Sequence, residues 1–170
     1  MNQLKAQTLD NFIRKYGDVV GRKKYEESNS KQFSNISLEL FERIQEKLGD
    51  IGANARYGAN EVPITVVFDN GITKNCYPDY LLNTRIIEFN GDYWHMNPKF
   101  YGADDKIPFG SVASSKFNGT TAGDIWKYDR NKTKALEKLG YSVKTVWEDD
   151  YVKNKDEVVS ECLEFLLKQQ

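Results

Sequence analysis

Apolar residues recur along this chain with two different periods, and the switches between them outline its elements. From Ser34 to Gly49, "SNISLELFERIQEKLG" carries Leu40, Phe41, Ile44 and Leu48 at helical spacing. Ser34 or Ser37 suits the N-cap and Gly49 the stop, so the stretch predicts an amphipathic helix. After a loop rich in Gly and Asn, "EVPITVVF" (61–68) is β-branched and reads as a strand. Asp69-Asn70-Gly71 is a hairpin signal, which returns "ITKNCY" antiparallel beside it. A third strand, "RIIEF" (85–89), follows a short connection through Leu81 to Thr84.

The segment from Asn97 to Gly123 has Pro98, Gly102, Pro108, Gly110 and Gly119 and little periodicity. Loops of that length inside compact domains are usually functional or disordered. Beyond it, "DIWKYDRNKTKALEKLG" predicts a helix ending at Gly140, "YSVKTVW" a strand, and "KDEVVSECLEFLLKQ" a C-terminal helix. The order of helix, three strands, long loop, helix, strand and helix predicts an α/β domain with a small mixed central sheet flanked by helices. Ahead of it, residues 1–33 place Leu9, Phe12, Ile13, Tyr16 and Val20 at helical spacing, interrupted by Gly17 and Gly21. We divide the chain into this N-terminal helical segment and a domain over 34–170. In "GRKKYEES", Arg22 and Lys23 open a cationic patch that is either a solvated helix face or a contact for a DNA backbone.

Composition narrows the classes. A chain of 170 residues with 39% hydrophobic and 13% aromatic residues is long enough for a real core. The net charge of −1 lowers the expectation of tight nonspecific DNA binding without deciding it, because the distribution of Lys and Arg matters more. Cys76 and Cys162 lie far apart, without metal-ligand spacing, and read as free thiols in a reducing compartment. With one histidine, structural zinc is not expected. No apolar run approaches the roughly 18–20 residues of a membrane span, and a signal-peptide core is lacking. The expectation is a cytoplasmic protein with no membrane partner.

Polar residues in apolar company supply the candidate chemistry. Alternation along "RIIEFN" puts Ile86, Glu88 and Asn90 on one face and Arg85, Ile87 and Phe89 on the other. A carboxylate among such neighbours costs several kcal/mol unless it is paired or holds a metal. Asp79, after Pro78, can be brought beside Glu88 by the short connection between them. Two acids converging from adjacent strands form a hard oxygen site suited to Mg²⁺, with Mn²⁺ as an alternative. Taken singly, Asp79 also fits a turn cap and Glu88 a salt bridge to Lys132. His95, after the "NGD" turn, is either a hydrogen-bonded core residue or a group poised to move a proton. On the later helix, a seam of Ile125, Asp129, Lys132, Leu136 and Leu139 has two charged members. Either these meet each other, the sheet acids or a ligand, or this end of the helix overhangs solvent. In the long loop, Lys99, Phe100, Tyr101, Lys116 and Phe117 mix cations with aromatics, as a phosphate-contacting and base-stacking surface does; a plain surface excursion is the other reading.

"PDYLLNTRIIEFNGDYWHMNP" together with "DIWKYDRNKTKALEKLGYSVKTVWEDDY" resembles the very-short-patch-repair type branch of the PD-(D/E)XK nuclease superfamily. That branch includes a mismatch-nicking repair endonuclease and phage-borne homing endonucleases. The resemblance covers roughly Ser34 to Tyr151. It implies a restriction-endonuclease-like core and a Mg²⁺-dependent endonuclease acting on DNA, in the host cytoplasm if phage-encoded. It implies metal-ligand roles for Asp79 and Glu88, a general-base role for His95, and a match of Asp129 to the Asp on the helix before the last strand. Glu39, in "SLELF", lies where the superfamily often carries a helix-borne glutamate. Asn90 stands where the superfamily has its motif lysine and the repair branch a histidine; Lys132 is the expected substitute. The repair enzyme's zinc ligands are missing. The alternative function is a nuclease-fold module that binds DNA or protein and cuts weakly or not at all.

Overall fold

The computed structural model describes residues 13–14, 17–18, 20, 34–106 and 120–168. By internal contacts the chain forms two units, Met1–Asn35 and Ile36–Gln170. In the first, Ile13 and Arg14 are helical; Gly17, at φ 80°, turns its N–H onto the Ile13 carbonyl at 2.8 Å. Most of the expected N-terminal helix, including Arg22 and Lys23, lies outside the described residues, as does Lys116.

The second unit is a mixed α/β domain. Helix α1 (Asn35–Leu48) buries Leu40, Phe41, Ile44 and Leu48 as its periodicity predicts, and the chain leaves it through Gly49 at φ 51°. A short strand β1 (Arg56–Tyr57) follows, then β2 (Ile64–Val67) and β3 (Thr73–Cys76). The latter two pair antiparallel around Gly71, whose φ of 78° the turn requires. They make a sheet of their own. The partner of β5 (Arg85–Asn90) is instead β4 (Tyr80–Leu82), in the stretch expected to be only a connection. The β4–β5 turn is two residues long and puts Asn83 at φ 54°, a conformation that short polar side chains tolerate. Three residues are too few to show a period, which is why β4, and likewise β1, escape a reading by pattern.

The main sheet has the order β1-β4-β5-β6, antiparallel except where β5 runs parallel to β6 (Ser142–Trp147). Between those two strands comes α2 (Ala122–Lys138), started by a capping box in which Thr121 and Asp124 bond each other's backbone N–H. Its buried residues are Ala122, Ile125, Ala135 and Leu136. Leu139, expected in the seam, is 54% exposed because the helix has ended by then. A short helix α3 (Glu148–Lys153), not anticipated, joins β6 to α4 (Lys155–Leu167).

The sheet separates two apolar cores. Ile87, Phe89 and Val146 face α1 and α4, packing with Leu40, Ile44, Val159 and Cys162. Ile86 faces the other way, toward the β2–β3 hairpin and Ala135 and Leu136 of α2. Five of the six residues of β5 are buried, so the strand is covered on both faces, and Glu88 and Asn90 share the α2 face with Ile86. Both cysteines are free and buried. No helix among the described residues is long and apolar enough to cross a membrane.

Candidate active site

The β4–β5 register pairs Tyr80 with Ile87, which carries Asp79, the residue just before β4, to the place opposite Glu88. There the Asp79 side chain continues the ladder: its Oδ2 accepts the Phe89 N–H at 2.8 Å. Glu88 is 6% exposed. Its Oε2 accepts a hydrogen bond from Lys132 Nζ at 2.7 Å, and its Oε1 is sealed from solvent with no hydrogen-bond partner among the described residues. Lys132 comes down from α2, so the helix seam and the sheet acids do meet.

Electrostatics follow from that burial. Loss of water pushes the Glu88 carboxyl up to about 7, with Asp79 adding to the rise and Lys132 and His95 opposing it. Burial likewise raises Asp79, against the Phe89 N–H, Lys132 and His95. Burial works against the charge on Lys132, yet Glu88, Asp79 and Asp129 outweigh it and hold the ammonium above its ordinary range. One acid that sequence reading passed over belongs with these. Glu61, ahead of β2, is raised to about 7 by its own partial burial and then by the charges of Asp79 and Glu88. It carries no signal of spacing, standing only as an acid before a strand; the fold alone brings it close.

His95 follows a tight turn in which its N–H bonds the Gly91 carbonyl at 3.0 Å. Its Nδ1 lies 2.8 Å from Asp129 Oδ2 on α2. The turn is fixed at several points. Glu148 Oε2 accepts the Asp92 N–H at 3.2 Å, and Trp126 Nε1 donates to the carbonyls of His95 at 3.1 Å and Met96 at 2.8 Å. Fully buried Asn97 donates to Asp92 Oδ1 at 2.6 Å and accepts from the Lys99 N–H at 3.0 Å. The histidine turn is thus held by α2 and by the first residue of α3.

Asp79, Glu88, His95, Lys132 and Asp129 are therefore gathered at one place. Other expected members are not. Glu39 Oε1 accepts from Tyr151 Oη at 3.0 Å and Lys155 Nζ at 2.6 Å, a set of partners on the α1 and α4 side that shares nothing with the sheet acids. The Lys99 ammonium is engaged by Asp149 and Asp150 at the start of α3. Tyr101 packs beside Met96, Ala122 and Ile125. Lys106 and Thr121 form an isolated antiparallel bridge that closes the loop between them.

Among the described residues, no three His, Cys, Asp or Glu side chains stand as a preformed metal-ligand set. The donors that are present still suit a hard divalent cation that keeps most of its waters. Asp79 and Glu88 offer only oxygen, and Glu88 Oε1 is a buried acceptor that such an ion would satisfy. The same ion would offset the mutual repulsion felt by Asp79, Glu88 and Glu61. No protein-family model, curated protein or solved structure matches this chain.

Proposed function

We propose that the chain is a metal-dependent DNA endonuclease with a PD-(D/E)XK type core, hydrolysing phosphodiester bonds in a homing or repair role. The observation that carries the reading is Glu88. A carboxylate on a strand covered on both faces, with one oxygen on Lys132 and the other bare, is costly to stability and needs a reason in chemistry.

In this reading Asp79 and Glu88 hold Mg²⁺ or Mn²⁺, with Glu61 adding negative charge at the rim; the ion supplies neutralisation of phosphate charge and activation of water. Lys132 fixes the orientation of Glu88 and adds the positive charge that Asn90 does not carry. Asp129 holds His95 Nδ1, which leaves Nε2 as the ring nitrogen that takes or returns a proton. Parallel pairing of β5 and β6 brings Asn90 beside Trp147, so the DNA approaches the strand ends where α2 and the His95 turn also meet.

Supercoiled plasmid incubated with Mg²⁺ or Mn²⁺ tests this: nicking or linearisation is expected, and Asp79→Ala should remove it. One observation favours a second reading, a binding module of nuclease fold. The Lys132 charge is already matched by Glu88 and is not free to meet a phosphate. Absence of cleavage, with Asp79→Ala binding duplex DNA as well as wild type, selects that alternative. Comparison of duplex, single-stranded, branched and RNA substrates assigns the substrate class.

A further inference from the structure

A cavity of about 580 Å³ lies beside the acids, between α2 and the outer strand β6. Its floor is Asn90, Thr145 and Trp147, the α2 face of the two parallel strands; its roof includes Trp126, Arg130 and Lys134, which recur at helical spacing. Asp129, the partner of His95, also lines it, so the cavity opens onto the proton-moving pair. The volume is within the range of small-molecule sites.

Asn90 singles out the chemistry. It is 8% exposed, and its side chain makes no hydrogen bond to any described residue. Its amide is not sealed in: among the described residues the one sealed, unpartnered side-chain atom is Glu88 Oε1. A buried amide in a cavity wall, with its donor and acceptor unused by the described residues, suits a ligand with a matching pair, as the edge of a nucleobase has. The aromatic groups agree. Trp126 is pinned by its indole N–H on two carbonyls, and Trp147 stands next to Asn90 in the β5–β6 register. One indole pinned in this way and a second beside the amide suit a flat heterocycle. Arg130 and Lys134 are exposed at the rim and form no salt bridge among the described residues, as suits a flanking phosphate.

We propose that this cavity is a nucleobase subsite, in which an unstacked base of the DNA strand lies against Trp147 and Trp126 with its edge on the Asn90 amide. The proposal rests on the nuclease reading for its place beside the reacting phosphodiester. Asn90 and Glu88 are two residues apart on one strand face, about 7 Å, so base and phosphodiester occupy neighbouring positions. Asn90 is then a specificity-determining residue at the position where a charged group was expected.

Tryptophan emission of the Trp94→Phe protein, titrated without metal with each deoxynucleoside 5′-monophosphate and with deoxyribose 5-phosphate, tests the subsite. Saturable quenching by nucleotides is expected, with one base preferred. Asn90→Leu and Trp147→Leu should weaken it at least tenfold, while Glu88→Gln keeps it. Arg130→Ala, at an exposed position, should weaken nucleotides more than free nucleosides. Equal quenching by deoxyribose 5-phosphate, or wild-type affinity and base preference in a folded Asn90→Leu protein, overturns the proposal. Plasmid cleavage without nucleotide binding rejects the subsite alone, and nucleotide binding without cleavage rejects the nuclease reading alone.

Discussion

Lys132 reaches from α2 to within 2.7 Å of Glu88 Oε2, while the other oxygen of the same carboxylate is buried and bare. A pair so arranged is half satisfied, and it makes the two residues separable by experiment. Lys132→Met leaves a buried charge without its counterion and should cost about 3–5 kcal/mol at pH 8, read by urea denaturation. The double variant Lys132→Met with Glu88→Gln should recover most of that loss.

Glu88→Gln alone keeps the shape of the side chain and removes its charge. Plasmid cleavage should vanish while the far-UV spectrum stays that of wild type and the melting temperature falls less than in Lys132→Met, because Asp79 and Asp129 still face the Lys132 ammonium. Cleavage by a well-folded Glu88→Gln protein would remove Glu88 from the metal site.

The melting temperature should depend on pH and metal together. Glu88 and Glu61 titrate at about 7, above their ordinary value of 4.5, so between those values the folded chain keeps protons that the unfolded chain has released. Their contribution to stability is complete below pH 4.5 and is lost as pH rises through about 7. Without added metal the melting temperature should therefore fall from pH 5 to pH 8. Added Mn²⁺ should raise it at pH 8 and have little effect at pH 5, where protons compete for the same oxygens. Glu88→Gln should flatten both trends.

His95→Gln should lower the cleavage rate by about 10² to 10⁴-fold, the usual worth of a positioned proton-transfer group. Asp129→Asn, which alters the hydrogen bond at Nδ1 without removing the ring, should cost about 10–100-fold. Both should leave the melting temperature within a few degrees of wild type. A large drop in stability without loss of rate per folded molecule would make the pair structural.

Asn97→Ala removes two hydrogen bonds from a fully buried amide that ties the 91–101 turn together. A loss of about 2–3 kcal/mol in urea denaturation is expected from the stranded Asp92 and Lys99 groups. Because that turn carries His95, cleavage should fall too, and more steeply as temperature rises.

Long elements with a strong period were legible in the sequence: α1, the β2–β3 hairpin, β5, α2, β6 and α4. The gathering of Asp79, Glu88, His95, Asp129 and Lys132 was one of the readings open in the sequence, beside a turn cap for Asp79, a core role for His95 and a helix end overhanging solvent. What stayed hidden is what no local period encodes. β4 is three residues long, α3 begins where a strand motif ends, and Glu61 approaches the acids only through the path of the hairpin. Glu39 shows the opposite case. Its position on α1 opposite the apolar stripe already separated it from the sheet acids, and it pairs with Lys155 instead.

The bridge between Lys106 and Thr121 fastens both ends of the segment it encloses, and Thr121 also caps α2. The start of the helix that delivers Asp129 and Lys132 is fastened as well by the Ala122 N–H on the Asp105 carbonyl and the Gly123 N–H on the Ala103 carbonyl, each at 2.8 Å. One anchoring point thus serves two features: a change at Thr121 that frees the bridge also loosens the helix start, and with it the placement of Asp129 and Lys132.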